Sequence, residues 1–279
     1  MFFHLPPSRS PGADAVSRAF REAIEADRPE FLGATFGAIG LNGARLDAGE
    51  AGPTRIEFAT VEGAIDLNDA GLDSTLAVSS TTVDGALRCR RSTFDGVRLG
   101  HVAFAGPVEV PEARFRRAVT VGRDVSFQRG VDAAGTTFDS TLRIRGSAFG
   151  DDASFADATF DRSLVMERLL AQREIDLSGA SVAGLSCTSV EAATLGLDRL
   201  SADAAAEVTV EDGEFGRLTA RGAALEGAVV LAGNDLDGPI EAARIDLSGA
   251  NVPNADLSGG DPGRATLRGL HSGARSAPV

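Results

Sequence analysis

Between Val108 and Val182 a large apolar residue returns every five or six positions: Val110, Phe115, Val121, Phe127, then Phe138, Ile144, Phe149, Phe155, Phe160 and Met166, with Ala133 in the one small slot. An α-helix repeats every 3.6 residues and a strand every two, so neither accounts for this spacing. A chain that turns a corner every five or six residues does, because each short segment then aims one side chain at a central axis. The ladder runs well beyond this stretch. It starts at Phe31, Phe36, Leu41, Leu46, Ala51, Ile56 and Val61, passes through Leu67, Leu72, Val78, Val83, Cys89, Phe94, Leu99 and Phe104, and ends its regular part at Ala171, Leu177, Val182 and Cys187. None of these positions is charged, while Asp, Glu and Arg flank many of them.

The residue two before each rung sorts the rungs into series. One series is small: Ala70, Ser92, Ala113, Thr136, Ala158 and Ala180. Another is aliphatic: Leu76, Val97, Val119, Leu142, Leu164 and Leu185. Both members of such a pair point inward and the residue between them points out. Taking every fourth rung reproduces the series without mixing, which predicts four faces and ~20–23 residues per turn, with turns stacked ~4.8 Å apart.

Four columns follow. Leu72, Phe94, Phe115, Phe138, Phe160 and Val182 form the first. Leu41, Val61, Val83, Phe104, Phe127, Phe149 and Ala171 are expected opposite it as the second. Leu67, Cys89, Val110, Ala133, Phe155 and Leu177 form the third, and Ile56, Val78, Leu99, Val121, Ile144, Met166 and Cys187 the fourth. Cys89 and Cys187 then stand in opposite columns, more than four turns and ~20 Å apart, beyond disulfide reach.

The ladder resembles the pentapeptide-repeat family, whose motif is a small residue, Asp or Asn, Leu or Phe, and two polar residues. Ala255-Asp256-Leu257-Ser258-Gly259 matches it, as do Ala180-Ser181-Val182, Ala158-Thr159-Phe160 and, with Ile in the small slot, Ile175-Asp176-Leu177-Ser178-Gly179. The likeness covers roughly residues 31–269. Six-residue steps and aliphatic pairs such as Val108 and Val110 place it with the looser form of the motif. The resemblance implies an all-β solenoid, a right-handed quadrilateral β-helix, here of about a dozen turns.

Around the ladder the chain divides into three. Residues 1–30 hold a lead-in and a capping helix. Ser10-Pro11 is a helix start, Val16, Ala19, Phe20, Ala23 and Ile24 follow at helical spacing, and Pro29 sets the limit. Such a helix suits the open apolar end of a first turn. Residues 31–270 hold the β-helix, whose register blurs from Ala192 to Val208, where Leu195, Leu197 and Leu200 compete for the interior and a bulge or protruding loop is expected. Residues 271–279 form a tail expected to be disordered. With no helix expected over the last turn, its strand edges invite pairing with a second copy, so a homodimer through the C-terminal coil is anticipated.

Composition bounds the function. The net charge of −13 disfavours direct nucleic-acid or anionic-membrane binding, and all cationic residues are Arg. No apolar run reaches the ~18 residues of a membrane span. MFFHLPPS lacks the basic and apolar regions of a signal peptide, so a cytoplasmic location is expected. No catalytic, metal or cofactor site is anticipated. His4, His101 and His271 are far apart and in no ligand spacing, and without Lys no phosphate-binding P-loop exists. Glycines read as corner residues with permissive backbone angles. Without Trp or Tyr, and with the placed Phe residues inside, a sugar platform is missing, so an enzyme ranks third. The first expectation is a non-catalytic scaffold or protein-binding surface. The alternative, which the resemblance supplies, is a DNA mimic that binds DNA gyrase or another topoisomerase. That alternative needs a continuous acidic surface. The acidic zone Asp47, Glu50, Glu57, Glu62, Asp66, Asp69 and Asp73 gives way instead to Arg88, Arg90, Arg91, Arg98, Arg114, Arg116, Arg117, Arg123 and Arg129. Across neighbouring turns Asp95 is expected beside Arg116 and Arg91 beside Glu112.

Overall fold

The structure, a computed structural model, describes residues 13–26, 29–47, 52–232, 245–246 and 254–256. After one helix, α1 (Ala13–Glu25), every described element is a strand, and all strands belong to one continuous parallel ladder. Phe31, Ile56, Val78, Leu99, Val121, Ile144, Met166, Cys187, Val210 and Leu231 lie one above another, so the described chain winds through about nine turns of a β-solenoid. Ile245–Asp246 pairs with Leu218–Thr219 and Asn254–Asp256 with Ala228–Val230, which carries the ladder further. The expected rung Ala51, the Ser10-Pro11 start, the tail and the end of the last turn lie outside the described residues.

The first column stands as expected, and its rings stack face to face. Phe94 and Phe115 are 5.3 Å apart between centroids, Phe115 and Phe138 5.1 Å, and Phe138 and Phe160 5.0 Å, with interplanar angles of 14°, 7° and 2°. The second column repeats this, with Phe104 5.3 Å from Phe127 and Phe127 5.1 Å from Phe149. Ring spacing follows the strand spacing of ~4.8 Å, because each ring rides on a backbone held in register by hydrogen bonds. The small series Ala70, Ser92, Ala113, Thr136, Ala158 and Ala180 is buried, and the Ser92 and Thr136 hydroxyls donate to the carbonyls of Leu67 and Val110 one turn below.

Leu41 is the exception. Phe36 sits on Val61, and Ile39 on Ile65, which puts Leu41 under Leu67 in the third column instead of the second. The first turn is longer: the step from Phe36 to Val61 is 25 residues against 22 from Val61 to Val83. A fixed count of rungs therefore slips by one column there. From Ala192 to Val208 all three competing leucines are inside, at 0–1% exposure. The turn loses a residue at each of two corners and regains three as an exposed bulge at Asp203, Ala204 and Ala205. The bulge is real, but it is confined to these three residues.

The helix closes the first turn. Val16, Phe20 and Ile24 are buried, and the Phe20 ring stacks on Phe31 at 4.3 Å and meets Phe36 edge-on at 5.9 Å. Ser17, also buried, accepts a hydrogen bond of 2.8 Å from the Gly40 amide, which no strand pairs from below.

Corners are built in two ways. Two of them place one residue per turn in the left-handed region. One row is Gly33, Phe58, Ser80, His101, Asp124, Gly146, Arg168, Ser189 and Asp212; the other is Gly43, Asp69, Arg91, Glu112, Gly135, Asp157, Gly179, Arg199 and Gly222. Twelve of these are not glycine, with φ between 49° and 59°, and all twelve are exposed. The expectation that glycine makes the corners by its backbone angle thus holds for only part of them. Gly63, Gly85 and Gly106 serve for another reason. Each lies directly over the carbonyl of Gly37, Gly63 or Gly85 one turn below, where a Cβ would collide with backbone.

Two substitutions test this. Gly85→Ala, which forces backbone apart, is expected to cost about 1–3 kcal/mol in urea unfolding, whereas Gly100→Ala, with nothing within 4 Å of the added methyl, leaves stability within about 0.5 kcal/mol. Phe138→Ala, which opens a gap between two stacked rings, is expected to cost about 3–5 kcal/mol.

Candidate functional surfaces

The outward residues read as rows along the axis, one per face. Over the second column the row is Thr35, Thr60, Thr82, Ala103, Ser126, Ala148 and Leu170, seven turns without a charge before Glu191 and Glu214. Each lies between two inward residues on a short parallel segment. The row over the third column is charged instead: Asp66, Arg88, Glu109, Asp132, then Ser154 and Asp176. Among the described residues three large apolar side chains are exposed, Leu32, Phe58 and Leu170. Leu170 is 43% exposed within the row, and Phe58, in the left-handed corner row, is 69% exposed. Phe58 therefore departs from the inward placement of phenylalanine. The five-residue count skips it, because it falls two residues after Ile56, at a corner that faces solvent.

Charge is organised between turns. Arg91 grips Asp69 with two hydrogen bonds of 2.8 and 2.9 Å, Arg114 pairs with Asp139 at 2.9 Å, Arg145 with Glu167 at 2.7 Å, and Arg221 with Asp198. Two expected partners change. Arg91 turns to Asp69 instead of Glu112, and Asp95 is met by Arg117 at 3.2 Å, while Arg116 reaches past it to Asp73, two turns away, at 2.9 Å. Column arithmetic fixes which Cα atoms are neighbours but not where a long guanidinium stem lies. The arginines are exposed, whereas Asp95, Asp139 and Asp198 are mostly covered; surface pairs of this kind are worth ~0–1 kcal/mol each. Within the acidic zone they neutralise Asp69 and Asp73, and farther along Asp95, Asp139, Glu167 and Asp198.

His101 is exposed at a corner with Nδ1 3.2 Å from Asp124, and His4 and His271 lie outside the described residues. Among the described residues no group of three His, Cys, Asp or Glu side chains could hold a metal ion. Cys89 and Cys187 are buried free thiols in different columns. Burial pushes both thiols up, Cys187 to about 12, with the charge of Asp66 adding to the effect at Cys89.

One acidic group was not legible in the sequence. Glu174 is raised by burial and by the nearby carboxylates of Asp176 and Asp152, and its amide donates a 3.2 Å hydrogen bond to the Asp152 carboxylate. Asp176 is two residues along the same strand, but Asp152 comes from the turn below, so no local motif marks the group. Asp69 and Glu167 are shifted the other way by the hydrogen bonds of Arg91 and Arg145. At Asp198 burial acts upward, but the hydrogen bonds from Arg221 and Thr219 outweigh it and the net shift is downward.

The signs give opposite pH dependences. The depressed carboxylates stabilise the fold above their ordinary values of 3.8 to 4.5, and that contribution is lost as pH falls through their folded values. Glu174 contributes fully below its ordinary 4.5 and loses the contribution as pH rises through its higher folded value. Glu174→Gln is therefore expected to melt above the wild-type protein at pH 7 and level with it near pH 3.5, read by circular dichroism. Neither cysteine is expected to react with a thiol reagent at pH 8 until denaturant is added, when two thiols per chain titrate. Comparison with protein-family models, with curated proteins and with solved structures finds no match to this chain.

Proposed function

We propose that the chain is a non-catalytic scaffold of the pentapeptide-repeat kind, a right-handed four-sided solenoid that presents a flat face to a protein partner. The observation that carries the reading is the uncharged row Thr35, Thr60, Thr82, Ala103, Ser126, Ala148 and Leu170. Charged residues are depleted at the centres of protein interfaces because they are costly to desolvate. On a molecule with net charge −13, seven turns of small neutral residues make this the face that loses least on contact. A rigid ladder also binds without an ordering cost in its backbone. The two buried thiols, unbridged, fit a reducing compartment such as the cytoplasm. Self-association through the final coil belongs to the same reading, since a terminal turn offers strand edges for pairing. A light-scattering mass of 28.7 kDa throughout the micromolar range would count against it.

The DNA-mimic alternative is weakened by the ion pairs. Arg91, Arg114, Arg116 and Arg117 neutralise Asp69, Asp139, Asp73 and Asp95 in the middle of the rod, where a mimic needs unbroken negative charge. Added protein is accordingly expected to leave gyrase supercoiling unchanged; inhibition or protection would favour the mimic.

The scaffold reading is tested with two double variants. Ala103→Arg with Ala148→Arg charges the neutral row, and Thr137→Arg with Thr159→Arg charges the face over the first column. A protein retained by the wild-type chain is expected to be lost by the first variant and kept by the second, with unchanged circular dichroism in both. Equal retention by both variants would overturn the choice of face.

A further inference from the structure

The lumen is not filled along its whole length. A cavity of about 160 Å³ runs along the axis from the Phe20 and Ile24 side chains of α1 to Phe155. Leu76, Leu87, Val97 and Val110 line it and are only partly buried although they point inward. In later turns the corresponding positions are sealed: Leu164, Met166, Ile175, Leu177 and Leu195 are all 0% exposed. Side-chain volume contributes to the difference: Val97 and Val119 stand in the file of Leu164, Val131 in that of Ile175, and Val110 and Ala133 in that of Leu177. In the earlier turns the third and fourth columns face each other with Cys89, Val110 and Ala133 against Leu99 and Val121, while the stacked rings hold the other two walls apart. Phe155, the one ring in the third column, leans on Phe160 at 6.3 Å between centroids and ends the gap.

No polar atom is on offer inside. The two hydroxyls in the lining are already engaged, Thr54 with Ser74 at 3.0 Å and Thr81 with the Ser79 carbonyl at 2.8 Å. Water needs two to four polar partners to occupy a cavity, so this one stays dry, as do apolar cavities of ~150 Å³ that take up benzene or xenon. We propose that the lumen is a binding site for small apolar molecules, benzene-sized guests or short alkyl chains. Because the walls come from successive turns ~4.8 Å apart, the space is longer than it is wide, which favours a linear guest over a bulky polycycle.

The test measures melting of the full chain with and without n-hexane, together with xenon NMR. At guest concentrations about tenfold above Kd, the melting temperature is expected to rise by about 3 °C, and xenon is expected to show a saturable, protein-specific shift. Val110→Phe or Ala133→Leu fills the gap and is expected to abolish both effects. No response in the wild-type chain overturns the proposal, and so does a response undiminished in the filled variants. Should neither variant fold, xenon density in pressurised crystals decides. A peak between Val97 and Val110 supports the site, and its absence there overturns it.

Discussion

Each described turn of this protein hydrogen-bonds, in parallel register, to its neighbouring turns, and that single constraint fixes the rest. Register places like columns over like columns, so Phe94 must meet Phe115 and Phe104 must meet Phe127 at the strand spacing. Rings held ~4.8 Å apart have room for one packing mode, the stacked one, and the interplanar angles of 2° to 14° reflect it. The same register converts each outward row into a continuous strip of surface, neutral on one face and alternating in charge on another.

The corners are where the constraint is costly. A non-glycine residue in the left-handed region costs of order 1–2 kcal/mol, and the chain accepts it twelve times. Each such residue sits where the backbone must turn from one face to the next while its amide still reaches the turn below or above, as Asp69 reaches Arg90 and Phe58 reaches Ser79. Losing that amide bond in a buried ladder would cost a comparable amount, so strain and hydrogen bond offset each other turn by turn. Glycine is required by contact at Gly85, whose missing side chain lets two turns approach at a tighter corner.

This division explains what the sequence discloses. Inward columns are legible because burial tolerates no charge, and the pair rule, small or aliphatic two residues before the rung, separates the faces. Leu41 misleads because corner length is free to vary where the chain can loop outward, and nothing apolar marks the extra residues. Leu195, Leu197 and Leu200 look like a conflict on paper since three leucines crowd one short stretch. Leu195 and Leu197 share the face of the third column, over Ile175 and Leu177, and Leu200 follows beyond the corner, over Ala180, in a shortened turn. Phe58 and the partners of Arg91 and Arg116 are illegible for a different reason. Outward side chains answer to solvent and to reach across turns, and a periodic pattern carries neither.

The uneven lumen follows from the same separation of roles. The ladder alone fixes the cross-section of the tube, whatever fills it, because strand pairing and corner geometry are backbone properties. Side chains then either meet across the axis or do not. Where Met166, Leu164 and Ile175 project inward they meet, and the interior is closed. Where Val110 and Ala133 face Val97 and Val121 across the axis they fall short, and the stacked rings cannot slide in to compensate because their spacing is set by the strands that carry them. A helical core would collapse onto such a gap by shifting its helices. A hydrogen-bonded tube with every turn locked to its neighbours holds the gap open, which is why a space left by small residues persists here as a cavity.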